Sequence, residues 1–178
     1  LISIVVVGVV QVPIVRTAIL NRVLTAINPF ETASIQYEQS DGSLFSDIML
    51  LGVSVTDSTS TPLHVDSLRV QLDILDILLD NELKGIYITG AHVDLRESES
   101  DTWSFPVLKQ ADETTPPDTS ASPFVIHEID INSLSASVAY WSPDNDSVWV
   151  VESLNTRITD LSLGESFSAL IDTLHIAF

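Results

Sequence analysis

From residue 33 onward the helical period disappears and apolar residues recur at every second position, with Val, Ile, Ser and Thr dominating short runs. In three of these runs the alternation changes phase once. DIMLLGVSV places its apolar residues at Ile48 and Leu50 and then at Val53 and Val55, with Leu51 and Gly52 at the switch. GIYITGAHVDL does so at Ile86 and Ile88, then Ala91, Val93 and Leu95, around Thr89 and Gly90. EIDINSLSASV repeats it at Ile129 and Ile131, then Leu134, Ala136 and Val138, around Asn132 and Ser133. Successive side chains of a strand point to opposite faces, so a one-residue jump signals a β-bulge, and Gly or Asn tolerates the backbone angles a bulge requires. Bulges at Gly52, Gly90 and Asn132 would bend three strands alike. That favours a sheet curled about one oily concave face over a flat one.

The clearest regular strand is SLRVQLDI, with Leu68, Val70, Leu72 and Ile74 on one side and Ser67, Arg69, Gln71 and Asp73 on the other. LDILLDNEL after it predicts one or two helical turns, with Leu75, Leu78 and Leu79 sharing a face. HVDSLRVQL at 64–72 is echoed by VVESLNTRI at 150–158, 86 positions on. The echo divides the body, residues 30–178, into two approximate repeats at about 44–96 and 124–178. Between them, 97–122 is rich in Ser, Thr, Asp, Glu and Pro and predicts a polar surface excursion, with Trp103 and Phe105 able to clip its start to the sheet. The expected fold is mainly β: an N-terminal helix followed by a curled antiparallel sheet with short helical turns.

Residues 1–29 obey another rule. The first charge is Arg16, and only Ser3 and Gln11 are polar before it. A bilayer-spanning helix needs about 20 mostly apolar residues, so the run is short for a span and too apolar for a solvated tail. It predicts either the end of a membrane segment or a buried core helix. Val15, Ile19, Val23 and Ile27, flanked by Leu20 and Leu24, make RTAILNRVLTAIN amphipathic, and Asn28–Pro29 stops it. As a membrane end, this segment should contribute little to the β core.

Charge separates the two parts. Residues 31–178 hold all 25 acids and five of the seven bases, so five against 25 leaves a net charge of −20. Such a surface repels nucleic acid and anionic headgroups. The absence of cysteine removes disulfides, thiolate metal sites and cysteine nucleophiles. His64 with Asp66 and His92 with Asp94 stand at i, i+2, on one face of a strand, but lack a third ligand at a recognisable spacing. SPDNDS lacks the Gly and Glu of a calcium loop and suits a hairpin turn. GESFSA has no closing Gly for a nucleophile elbow, and there is no phosphate-cradling Gly loop. No catalytic residue, cofactor or metal site is predicted.

The order of an apolar run, VQVPIVRTAILNRVLTAIN, DGSLFSDIMLLGVSVTD and PLHVDSLRVQLDILDILLDNELKGIYITGAHVDL resembles the N-terminal end of TamB/AsmA-like proteins, the bacterial branch of the bridge-like lipid transfer proteins. The likeness covers residues 1–96 best and extends to 178. It rests on the placement of strands, Gly and Asp, with no catalytic signature. It implies a non-enzymatic protein anchored in the inner membrane by one N-terminal pass, with a periplasmic β-groove carrying phospholipid between the inner and outer membranes. The groove lining would be Leu68, Val70, Leu72, Ile74, Ile86, Ile88, Val93, Ile129, Ile131, Leu134 and Val138, and its partners phospholipid acyl chains and possible outer-membrane β-barrel proteins. Two alternatives stand beside this: a factor that assembles outer-membrane proteins by offering a sheet edge, and a closed β-sandwich for adhesion or carbohydrate binding whose oily face is ordinary core.

Overall fold

The alternating runs become nine strands of one sheet in the computed structural model, which describes residues 30–43, 45–57, 60–97, 124–140, 147–163 and 167–177 together with parts of 17–28. The strands are β1 (Ser34–Gln36), β2 (Gln39–Ser43), β3 (Asp47–Thr56), β4 (Leu63–Gln71), β5 (Glu82–Leu83), β6 (Gly85–Arg96), β7 (Phe124–Tyr140), β8 (Ser147–Leu163) and β9 (Phe167–Ala177). Their order is β1-β3-β4-β6-β7-β8-β9, with β2 also on β3 and β5 also on β7. The opening run and the polar excursion, including Trp103 and Phe105, lie outside the described residues, as do SPDNDS up to Asp146 and Gly164–Ser166.

The expected all-antiparallel sheet is corrected to a mixed one. β5 and β6 run parallel to β7, while the other pairs are antiparallel. A parallel neighbour cannot be reached by a hairpin and needs a crossover of a dozen or more residues. Residues 97–123 are that connection, which explains why so long a polar segment interrupts the strands.

β4 ends at Gln71 instead of continuing to Ile74. A six-residue helix, α1 (Ile74–Leu79), begins there, with the Asp73 carbonyl accepting from the Ile77 amide at 3.0 Å. Asp favours this capping position over a strand interior. Asn81, at φ 57°, stops the helix in the left-handed conformation that Asn accepts more readily than most residues. Ile77 packs toward the sheet, whereas Leu79, expected to share an apolar face with Leu75 and Leu78, is 76% exposed.

Phase switches turn out to be a property of rows that cross the sheet. Gly52 and Gly90 have φ of 60° and 64°, and Ser133 has 60°. Leu51↔Ser67 and Val53↔Val65 bracket Gly52 and Asp66, and Val65↔Ala91 and Ser67↔Thr89 bracket Asp66 and Gly90. Thr89↔Asn132 and His92↔Ser135 then set Gly90 beside Ser133. At this seam each strand separates its apolar-face residues by three positions instead of two: Leu50 and Val53, Val65 and Leu68, Ile88 and Ala91 belong to one core cluster. The break between β1 and β2 at Tyr37–Glu38 falls on the same row, for both strands keep one register against β3.

The bulges expected at Gly52 and Gly90 are therefore corrected. Neither strand gains a residue against its antiparallel neighbour, because β4 switches in the same row. At Asn132–Ser133 a bulge does occur: between Ile131↔Thr156 and Leu134↔Leu154, two residues of β7, Asn132 and Ser133, oppose one of β8, Asn155. An extra residue in β8 restores the register by Ala136↔Val151.

A second seam had no clear mark in the sequence. It runs through Lys84, which separates β5 from β6, His127 in β7 and Asp160 in β8 at φ 52°. Leu83 and Ile86, Ile126 and Ile129, and Ile158 and Leu161 show the same three-residue spacing and pack in one cluster.

At Gly90 an added Cβ would strike the Asp66 carboxylate and lie 2.9 Å from Asp66 Cβ, in addition to the strain of a positive φ. Gly90→Ala is expected to destabilise the chain by about 2 kcal/mol in urea unfolding. The double variant Asp66→Ala/Gly90→Ala should recover the steric part and retain the backbone part; strict additivity of the two changes would contradict this coupling.

Candidate functional site

The most extensive chemical feature built by these elements is the apolar face of the sheet. Leu68, Ile88 and Leu134 pack around a buried cluster of Leu50, Val53, Val65, Ala91 and Leu20. Val70, Leu72, Ile86 and Ile129 pack around a second cluster of Leu83, Ile126 and Leu161. Register places the rest: Ile131 pairs with Ile88, Val93 with Leu63, and Val138 with Leu95 in β6 and Trp149 in β8. Ten of the eleven predicted groove residues thus share one face across β4, β6 and β7 and the chain just beyond β4. Ile74 does not continue the row, since it opens α1.

Parts of this face are covered. Residues 17–18, 20–22 and 24–25 are helical, and Leu20, 5% exposed, sits on the first cluster. Against the expectation that the N-terminal segment contributes little to the core, its described residue Leu20 is a member of the first cluster. Ile77 of α1 covers the second cluster. Toward β8 and β9 the cover ends. Trp149 is 70% exposed, Leu174 58% and Ile176 42%. Val138↔Trp149, Thr156↔Leu174 and Leu154↔Ile176 put all three in the rows of the apolar face. Sequence reasoning missed this strip, although LIDTLHIAF carries its apolar letters, because the extra residue at Asp172 breaks their alternation.

The opposite face is polar and cross-linked. Arg69 makes a bidentate pair with Asp47, Nε to Oδ1 at 2.9 Å and Nη2 to Oδ2 at 2.5 Å, and its guanidinium lies 5.9 Å from the Tyr87 ring centre. The Tyr87 hydroxyl donates to Glu128 at 2.8 Å, and Glu128 and Asp130 hold Arg157 at 3.2 and 2.6 Å. One polar network so crosses β3, β4, β6, β7 and β8. The Arg69 hydrogen bond holds Asp47 below the usual carboxylate range, and burial followed by the Glu128 carboxylate pushes the Tyr87 phenol up. Solvent screens these exposed pairs, so their main effect is to fix the register of neighbouring strands.

His64 and His92 are registered partners, with His64 3.4 Å from Asp66 and His92 2.9 Å from the Ser135 hydroxyl. Among the described residues no group of three or more His, Cys, Asp or Glu is arranged to hold a metal ion. Two shallow concavities lie outside the apolar face. One of about 450 Å³ is lined by Asp41, Asp47, Met49 and Arg69, and one of about 330 Å³ by Asp130, Asn132, Asn155 and Arg157. The arginines of both are already paired with carboxylates. No helix among the described residues is long and apolar enough to cross a membrane. Compared with known proteins, the chain matches no family model, no curated protein and no solved structure.

The Ser137 hydroxyl donates to Asp94 Oδ1 at 2.7 Å across β6 and β7, and this bond, aided by Arg96, lowers the Asp94 carboxyl from its ordinary value. Because the folded value is depressed, the stabilisation is present above the unfolded carboxylate range and is lost as pH falls through the folded value. Ser137→Ala should cost about 1 kcal/mol near neutral pH. Urea unfolding should show the difference from the parent shrinking in acid; a pH-independent difference would assign the cost to packing.

Proposed function

We propose that the apolar face serves as a binding surface for lipid acyl chains in a non-enzymatic, TamB/AsmA-like carrier anchored in the inner membrane, with its sheet in the periplasm, carrying phospholipid between the inner and outer membranes. The observation that carries this reading is the strip of Trp149, Leu174 and Ile176, which continues the apolar face of β7 into solvent across β8 and β9, the bulges between these strands keeping it on one side. A soluble domain gains about 0.8 kcal/mol for each methylene it takes from water, so a strip of this kind binds a chain without a specific polar contact. The seams are where the sheet would bend to turn the face into a trough, since several neighbouring strands change face there in one row. Phospholipid headgroups would remain in water at the rim.

The closed-sandwich reading requires a second sheet over Leu68, Val70 and Leu72. Among the described residues every strand belongs to one sheet, and the side chains laid over those positions come from helical Leu20 and Ile77. The assembly-factor reading has one observation in its favour: β9 is an edge strand of eleven residues with exposed apolar side chains.

Charge placed in the open strip tests the lipid reading without touching the core. Leu174→Glu/Ile176→Glu puts two carboxylates where chains would lie, and Thr173→Glu/His175→Glu adds the same groups to the opposite face of β9. Desolvating a carboxylate against hydrocarbon costs several kcal/mol. Phospholipid recovered with the chain after photo-cross-linking should fall several-fold in the first variant and hold in the second. Equal recovery from both, with circular dichroism unchanged, would remove the lipid reading. Retained lipid with loss of outer-membrane protein assembly would favour the edge reading.

A further inference from the structure

We propose that His127 is a proton-operated clamp that fastens β5, β7 and β8 together when its ring is cationic. Its Nε2 lies 3.0 Å from Glu82 Oε2, and its Nδ1 faces Asp160 Oδ1 at 3.6 Å. A neutral imidazole carries one N–H and presents a lone pair on its other nitrogen, whereas the imidazolium carries two N–H groups and a full charge. Carboxylates on both sides of the ring therefore fit the cation and oppose the neutral form.

The clamp sits over the second core cluster. Glu82 precedes buried Leu83, His127 follows buried Ile126, and Asp160 precedes buried Leu161, so each group on the polar side is one residue from a member of the cluster on the other. All three also lie at the second seam, where β5 is two residues long and Asp160 holds a positive φ. These are the places where the backbone ladder is weakest and a side-chain link has most to add.

Among the described residues the charged groups around the ring are few. Glu82 faces it from β5 and Asp160 from β8. Lys84, beside it in the β5–β6 line, is turned to Asp73 and Asp76 at 3.4 and 3.5 Å. On its own strand Glu128 is engaged by Tyr87 and Arg157. The Glu82 bond, and after it Asp160, raises the His127 value above that of an ordinary imidazole. A raised folded value means that the clamp is fully present below the unfolded histidine value and is lost as pH rises through the folded one. Above that point two carboxylates share a ring with one proton, and the end of the sheet carrying β5 and α1 loosens. None of this depends on the lipid reading.

The test is a histidine NMR titration of the 178-residue chain combined with amide exchange. The His127 midpoint should lie above about 6.5, the value of an unperturbed histidine, and Glu82→Gln and Asp160→Asn should each lower it. Asn keeps the tolerance for positive φ, so the second change removes charge without adding backbone strain. Exchange at Leu83, Ile126 and Leu161, corrected for base catalysis, should quicken several-fold as the ring deprotonates, while Val53 and Val65 hold. His127→Gln should abolish that pH dependence. A midpoint at or below 6.5, or exchange at the second cluster that follows the same pH course in His127→Gln as in the parent, would overturn the proposal.

Discussion

Every strand of this sheet must change face in the same row as its neighbours. Side chains alternate strictly along a strand, so a strand that switched alone would carry its apolar residues to the polar face of the sheet beyond the switch, beside partners that had not moved. The chain meets this by aligning Gly52, Asp66, Gly90 and Ser133, with β1 and β2 broken on the same line. Where the switch falls out of line with a neighbour, at Ser133 against β8, a bulge forms and an Asn155 side chain accepts the Ser133 amide at 2.7 Å to satisfy a donor that the ladder no longer pairs. The two core clusters, both face assignments and the continuity of the apolar surface all rest on that alignment.

The two faces then take complementary roles. Burial of aliphatic residues on one side supplies the main driving force, at about 25 cal/mol per Å². The polar side bears acids in large excess, and two of its cations link neighbouring strands: Arg69 joins β4 to β3, and Arg157 joins β8 to β7. Arg suits such sites because its planar fork meets a carboxylate through two parallel bonds. Histidine adds a third kind of link at His127, one that exists only while a proton is held.

How much of this was legible follows from which residues mark a switch. Gly52, Gly90 and Asn132–Ser133 announced the first seam in β3, β6 and β7. The same seam in β4 passed unnoticed because Asp66 and Ser67 cross it without a positive φ, and the regular run from Leu68 drew attention away from Val65. The echo between 64–72 and 150–158 has a local physical side as well: Val-Asp-Ser-Leu in β4 and Val-Glu-Ser-Leu in β8 are where each strand takes its three-residue step, beside Ala91 in one case and Leu134 in the other. The second seam relies on Lys84, His127 and Asp160, residue types that ordinarily signal solvent, so nothing in the letters separates them from other polar positions. Parallel pairing of β6 and β7 was hidden for another reason. Strand orientation is set by the path of the connection, and only the length of 97–123 hinted that it was no hairpin.

The ends of the sheet differ in a way that bears on where a hydrophobic ligand could enter. At one end β1 and β2 are short, polar and interrupted, with the exposed Glu38 at the break, the usual means of making an edge unattractive to another strand. At the other end β9 is long, and Ile171, Leu174 and Ile176 are exposed on the apolar face together with Trp149 of β8, while Leu170, Val148 and Val150 are exposed on the other face. Apolar exposure of this density is costly to keep in water and favours association of any kind. A net charge of −18 on each chain opposes association between like copies, and more strongly at low salt, without repelling an uncharged hydrocarbon. In the proposed carrier, the combination of an acidic body and an oily open strip would discriminate by charge between a second copy of the chain and a neutral hydrocarbon, which hydrophobicity alone would treat alike.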